Sequence, residues 1–278
     1  MNSPRPPHAP VRRRSVLRLA GLAATLGPAA LASSARAQSA PTLKIVVGYP
    51  AGATSDALTR VIAEHMATTL KQTVIVENKV GAGGRIANEL VKAAPADGST
   101  LLMTPVATMG IFPHSYAGQL RYDPFKDFAP VAHLSNFQLG WGVSNAVPAK
   151  TLAEYVAWVK TDPAKNGFYG SAAPGSIPHF FGVMFARAAG ITLTHVPYKG
   201  TAAAMPALAG GEIAALSTVA ADIRALVQAD RARLLAVAGD GRDPMFPNVP
   251  TFKEQGFDLV AKPWYGLFAP AGTPAAAL

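Results

Sequence analysis

Apolar runs and helix-spaced apolar positions alternate along the chain from about residue 43 onwards. The first run, residues 45–47, is followed by the turn residues Pro50 and Gly52. The next apolar positions fall on one helical face: Leu58, Val61, Ile62, Met66 and Leu70. An apolar run bounded by turn residues predicts a buried strand, and a 3.6-residue spacing predicts an amphipathic helix. The candidate N-caps of that helix are Thr54, Ser55 and Asp56.

The same succession of strand, loop and helix recurs through the rest of the chain. Further strands are predicted at residues 73–76, 100–104, 131–144, 167–170, 193–196, 213–216, 234–238 and 264–268. Thr151 and Glu154 form a capping-box pattern at the start of one helix, and Ser176 is the predicted N-cap of another. Alternating strands and helices indicate an α/β fold with parallel sheets and right-handed crossovers.

The first 37 residues have the pattern of an export signal. They contain six arginines and no acidic residue, an apolar stretch at residues 19–31, and the small-x-small motif Ala35-Arg36-Ala37. This pattern predicts a signal peptide over residues 1–37, cleaved near Ala37. Arg13-Arg14 is close to a twin-arginine motif, so we expect that export route. A retained membrane anchor is disfavoured because the apolar stretch is shorter than the about 20 residues of a membrane span.

Charge and cysteine content narrow the functional classes. The formal net charge is +9, and leaving out the six arginines of the signal peptide reduces it to +3. No basic run is interleaved with aromatic residues, so a nucleic-acid groove is not expected. The chain has no cysteine, which excludes disulfides, thiolate metal sites and a thiol nucleophile.

Three short motifs suggest chemistry, but each departs from the pattern that the chemistry needs. Residues 81–84 are glycine-rich, yet no acidic residue follows at the spacing of a dinucleotide site. Lys199 lies in a segment without the glycine spacing of a P-loop. Ser171 or Ser176 with His179 would suggest a serine hydrolase acting on a carboxylate ester, but the nucleophile-elbow motif is absent. We therefore expect no catalytic residue, and the hydrolase is the alternative.

The histidines do not have the spacing of metal ligands. His179 and His195 are expected to be packed or hydrogen-bonded instead. We predict no metal site and no cofactor.

Small-residue loops that lead into helices remain as the candidate site. They follow predicted strands at residues 49–56, 171–179 and 198–201. Helix N-termini favour anions, and ligands of open α/β sheets bind at the carboxyl ends of the strands. The candidate ligand-binding residues are Tyr49, Gly52, Ala53, Thr54, Ser55, Asp56, Thr104, Ser171, Ala172, Gly175, Ser176, His179, Tyr198, Lys199, Gly200 and Thr201.

Several phrases of the sequence together resemble the substrate-binding proteins of tripartite tricarboxylate transporters, the Bug family. The phrases run in the family's order from residue 43 to the end of the chain: Tyr49-Pro50-Ala51-Gly52, residues 76–84, residues 97–102, residues 171–179, Val196-Pro197-Tyr198-Lys199-Gly200, Val249-Pro250-Thr251 and Trp264-Tyr265-Gly266. The resemblance implies a type II periplasmic-binding-protein-like fold, in which each of two lobes is a mainly parallel sheet flanked by helices and the ligand cleft lies between them.

The lobes are expected at residues 38–140 with 242–278, and at residues 141–241. The resemblance also implies a periplasmic monomer that binds a small organic acid, largely through backbone amides and hydroxyls, and delivers it to membrane permease subunits. A sensor in place of the permease is an open alternative, and the sequence does not identify the acid.

The chain departs from the family pattern in places. Ala53 and Ala173 stand where the family has glycine, and Val80 stands where it has proline. Alanine tolerates positive φ poorly, so the two loops are expected to differ in detail. Thr273-Pro274 is a helix-start pattern close to the last residue, whereas the family continues into C-terminal helices. The sequence is therefore expected to be truncated.

Overall fold

The computed structural model describes residues 42–278. It contains ten strands. In chain order they are β1 (Leu43–Val47), β2 (Val74–Asn78), β3 (Thr100–Pro105), β4 (Phe128–Asn136), β5 (Leu139–Ser144), β6 (Phe168–Ser171), β7 (Thr194–Pro197), β8 (Ala215–Val219), β9 (Ala232–Val237) and β10 (Trp264–Pro270). The α-helices are α1 (Thr54–Leu70), α2 (Arg85–Lys92), α3 (Phe112–Ser115), α4 (Leu152–Thr161), α5 (Pro163–Asn166), α6 (Ile177–Ala189), α7 (Thr201–Gly210) and α8 (Arg224–Gln228).

The strands form two five-stranded sheets with matching topology. The first has the order β2-β1-β3-β10-β4 and the second the order β7-β6-β8-β5-β9. In each sheet the fourth strand, β10 or β5, is antiparallel to both neighbours, so the other four strands point the same way. The predicted fold of two α/β lobes with mainly parallel sheets is therefore confirmed.

The reversed strand of each sheet is also the strand with which the chain enters that sheet from the other lobe. Residues 131–144 were predicted as one strand, but the structure divides them into β4 of the first sheet and β5 of the second. The chain passes between the lobes at Phe137, whose N–H donates to the Pro263 carbonyl at 3.0 Å on the returning segment. Phe137 also stacks on Tyr265, with ring centroids 4.4 Å apart. Most of β4 is half-buried or exposed, whereas every residue of β5 is buried, so the two halves of the run lie in different environments.

The segment between β9 and β10 packs on the second sheet. Phe252 is fully buried against Phe181 and Phe185, at ring-centroid distances of 4.9 and 5.2 Å. Leu259 belongs to the same apolar cluster, and Phe246 belongs to the neighbouring one. These contacts favour a boundary of the second lobe after Leu259 rather than at residue 241, and we propose that boundary.

An aromatic cluster fills the second lobe beneath the loops that face the cleft. Trp141 of β5 is fully buried and contacts Tyr155, Tyr169 and Phe185, with ring centroids 4.9 to 5.7 Å apart. Edge-to-face and offset contacts of this kind add to the stabilisation from apolar burial. The cluster gives β6 and α6, which carry part of the candidate site, a rigid support.

The predicted caps of two helices of the second lobe are present. Thr151 Oγ1 accepts from the Glu154 N–H at 3.1 Å, and Ser176 Oγ accepts from the His179 N–H at 3.4 Å. The Glu154 carboxylate accepts from the Lys150 N–H at 2.6 Å rather than from Thr151, so the predicted capping box is only half formed. None of the helices in residues 42–278 is both long and apolar enough to cross a membrane.

Candidate ligand-binding cleft

A small cavity lies between loops of the two lobes. Its volume is about 60 Å³. The first lobe contributes Tyr49, Pro50, Ala53, Ser55, Pro105, Ala107 and Tyr265 to its wall, and Phe137 lies at the crossover. The second lobe contributes Ala172, Ala173, Ser176, Ile177, Pro178, Thr201, Thr218, Val219 and Asp222. Ligand pockets usually exceed roughly 300 Å³, so a small-molecule ligand requires this cleft to widen. The predicted residues Tyr49, Ala53, Ser55, Ala172, Ser176 and Thr201 all line this cavity.

A second cavity of about 400 Å³ adjoins the first. The two share Tyr49, Pro50, Ala172 and Ala173. Its wall also contains the predicted residues Tyr198, Lys199 and Gly200, together with residues 80–83, Arg85 and Tyr116. Arg85 and Lys199 are the charged residues of this wall in the part of the chain that the structure describes. The second cavity is therefore electropositive.

Tyr116 joins the lobes at the second cavity. Its hydroxyl donates to the Pro174 carbonyl at 2.7 Å, from the first lobe to the second. The Arg85 guanidinium lies over the Tyr116 ring, 4.0 Å from the centroid. Gly175 has φ of +71° and lies so close to the ring that an added Cβ would approach it to 2.9 Å. Position 175 thus requires glycine, because the backbone has a positive φ and because a Cβ would come too close to the Tyr116 ring.

The start of α1 differs from the prediction. Thr54, Ser55 and Asp56 lie inside the helix, and the N-cap is Ala53, which has no side chain that could cap. Instead Asp222 of the second lobe accepts hydrogen bonds at Oδ1 from the Thr54 N–H, at 2.9 Å, and from the Thr54 hydroxyl. The predicted N-caps were therefore wrong because the capping carboxylate comes from 168 residues away in the sequence.

The alanines at the two family glycine positions are accommodated without strain. Ala53 has φ of −70° in the extended region, and positive φ in that loop falls on Gly52, at +84°. Ala173 is not among the residues with positive φ. Neither alanine therefore has the positive φ that alanine tolerates poorly.

Asp56 holds the first-lobe loop together. Its carboxylate accepts from the Gly52 N–H at 3.0 Å, the Asn78 amide at 2.9 Å and the Arg60 guanidinium at 3.0 Å. Burial acts to raise its pKa, but these hydrogen bonds outweigh burial and hold the pKa below its ordinary value. Because its acceptor sites are used inside one lobe, Asp56 positions the loop rather than facing the ligand.

Ser171, buried at the end of β6, pairs with the half-buried His195 of β7. Ser171 Oγ lies 2.7 Å from His195 Nε2 and 3.2 Å from the Ala173 carbonyl oxygen. His195 stacks on His179 with centroids 4.0 Å apart, and burial followed by the nearby His179 lowers its pKa to about 4. A hydrolytic nucleophile has to reach its substrate, whereas Ser171 is 0% exposed. The geometry favours a structural hydrogen bond over a Ser–His nucleophile.

The remaining predicted residues lie around the cavities in supporting positions. Thr104 is buried, and its hydroxyl lies 2.7 Å from that of Thr108. His179 Nδ1 accepts from the Gly175 N–H at 3.0 Å. Thr201 Oγ1 lies 3.0 Å from Thr218 Oγ1, beside the cavity that both residues line. Thr104 and His179 thus support the walls, whereas Thr201 presents a polar group to the cleft.

Tyr49 links the two cavities. Its hydroxyl donates to the Gly83 carbonyl at 3.0 Å, and burial raises its pKa well above the ordinary value. The Tyr49 hydroxyl therefore stays protonated, and its hydrogen bond holds the ring between the two cavities. No group of three or more His, Cys, Asp or Glu residues in the described range could hold a metal ion.

Two lobes with a cleft at their crossover are the architecture of periplasmic binding proteins. Residues 58–278 match the family model described as "Tripartite tricarboxylate transporter family receptor". The chain belongs to this family.

Two curated relatives support the assignment. A UPF0065 protein from the gbd 5′ region of Cupriavidus necator is 35% identical over 95% of this chain and 80% of that protein. Protein BugT of Bordetella pertussis is 30% identical over 90% of this chain and 76% of that protein. The resemblance to Bug proteins is therefore confirmed.

Two solved structures share the fold. Rpa4515 of R. palustris, determined with adipate, has a TM-score of 0.81 and 30% identity over 85% of this chain and 79% of that one. MatC of Rhodopseudomonas palustris, determined with bound malate, has a TM-score of 0.77 and 31% identity over 85% of this chain and 80% of that one.

Proposed function

We propose that this protein is exported to the periplasm, captures a small organic acid in the cleft between its lobes, and delivers it to the membrane subunits of a tripartite transporter. The arrangement of the cleft carries the proposal. The starts of α6 and α7 contribute Ser176 and Thr201 to the second-lobe wall of the cavity, where hydroxyls and backbone N–H groups can bind an oxyanion, and α1 contributes Ser55 to the facing wall. Malate and adipate, found with two structural relatives, are acids of this kind.

The cleft also explains how capture can be coupled to a change of shape. The lobes are joined by two short crossovers at residues 137–138 and 261–263, and the walls of the cavity come from both sides. A ligand that contacts both walls stabilises the closed arrangement, which a membrane partner can then distinguish from the open one.

Binding of an acid is tested on the mature protein from residue 38 onwards. Thermal-shift screening against mono-, di- and tricarboxylates, followed by titration calorimetry on the hits, should give a stoichiometry near one and no turnover. Incubating the same protein with activated esters tests the alternative that it is a hydrolase. Ester turnover that Ser171→Ala abolishes, with no stabilisation by any acid, would contradict the proposal.

The partner is tested in cells. Uptake of the identified acid should require both this protein and a tripartite permease. If uptake continues without the protein but an acid-dependent transcriptional response is lost, the sensor alternative is correct.

A further inference from the structure

Asp222 is the charged residue in the wall of the smaller cavity, among the residues that the structure describes. It lies in the 3₁₀ turn Ala220–Ile223 that follows β8 in the second lobe. Its side chain reaches across the cleft to Thr54, the first residue of α1. The negative charge of Asp222 therefore lies in the space between the lobes where a ligand would bind.

The two oxygens of Asp222 have different roles. Oδ1 accepts from both donors of Thr54, whereas Oδ2 has no hydrogen-bond partner within residues 42–278. This oxygen remains accessible, so it can accept from a donor on a ligand, and most strongly from a cationic one. Among residues 42–278, no Lys, Arg or His in the wall of this cavity could supply it.

Asp222 also changes what the α1 N-terminus can bind. The Thr54 N–H, which would otherwise be open to a ligand carboxylate, already donates to Asp222. A second carboxylate placed there would lie close to a like charge, which disfavours it. The adjoining cavity has the opposite character, because its charged residues are Arg85 and Lys199.

We propose that Asp222 makes the cleft selective for acids that carry a cationic amino group, with that group facing Asp222 and the carboxylate towards the second-lobe loops and the electropositive cavity. This inference rests on the proposed function and specifies its ligand class. The cleft discriminates against an acid of the same length that carries a second carboxylate at the Asp222 end.

The test compares matched pairs of acids on the mature protein. The probes are 4-aminobutyrate with butyrate, β-alanine with propionate, and the common α-amino acids with their amine-free analogues, including glutamate with glutarate. Calorimetry should show tighter binding of at least one amino member than of its amine-free partner. Asp222→Asn retains an oxygen for the Thr54 N–H but removes the charge, so it should reduce that preference by about tenfold or more.

The matched control neutralises an aspartate that does not line the cleft. Asp258→Asn makes the same change at an exposed side chain and should leave the preference unaltered. Wild-type protein that binds only amine-free acids, or a preference that Asp222→Asn leaves intact, overturns the role of Asp222 and leaves the proposed function standing. Folded protein that binds no acid of either kind, in the wild type or the variant, overturns the proposed function and this inference with it.

Discussion

Replacing Tyr116 by phenylalanine tests whether closure of the lobes contributes to ligand affinity. The substitution removes the hydroxyl that donates to the Pro174 carbonyl at 2.7 Å across the lobes. It keeps the ring that packs edge-on against Phe112, at 5.0 Å between centroids, and lies beneath Arg85. Only the hydrogen bond between the lobes is lost.

The expected magnitude follows from the exposure of this bond. Water can replace the lost partner of an exposed carbonyl, so the net contribution is at the lower end of the usual range, about 0.5–1 kcal/mol. Because the bond joins the two lobes, separating them would break it, and on the proposed closure its loss should weaken binding by about two- to fivefold. Titration calorimetry with the acid identified by screening measures this change directly.

Tyr122→Phe is the matched control. Tyr122 donates to the Thr108 carbonyl at 2.7 Å, but both residues belong to the first lobe and the bond is buried. This variant should lower the free energy of unfolding by about 1 kcal/mol and leave ligand affinity unchanged. Unchanged affinity in Tyr116→Phe, or equal losses of affinity in the two variants, would refute the closure argument.

Three further predictions concern stability and pH. Ser176→Ala removes the N-cap of α6 and should lower the free energy of unfolding in urea by about 1 kcal/mol, whereas Ser176→Asn should retain most of it. The pKa of Asp56 is lowered in the folded protein, so its stabilising effect is present above about pH 4 and is lost as the pH falls through the folded pKa. Asp56→Asn should therefore be less stable than wild type at pH 7, with a gap that narrows in acid; a constant gap would count against this. The pKa of His195 is lowered from 6.5 to about 4, so stability should fall as the pH drops through this range, and His195→Gln should show a flatter melting temperature between pH 4 and 7.

The sequence predicts the elements well where local patterns determine them. The 3.6-residue spacing located α1, and the cap residues Thr151 and Ser176 located the starts of α4 and α6. These features depend on residues within one or two turns of each other. Local hydrogen bonds and one-sided burial are visible as short-range patterns.

Features set by distant residues could not be predicted in the same way. The division of residues 131–144 into β4 and β5 depends on which sheet covers each half, and the cap of α1 depends on Asp222 from the other lobe. A loop aspartate after a strand is common in sequences, so its position alone gave no sign that it reaches the cleft. Its role emerges only when the two lobes are placed together.

Ligand binding between the two lobes can be tested by a single structure. A crystal structure of the mature protein with its tightest-binding acid should show the ligand between the lobes, in contact with Tyr49 or Ser55 on one side and with Ala172, Ser176 or Thr201 on the other. A ligand bound outside the cleft, or in contact with only one lobe of a closed molecule, would contradict it.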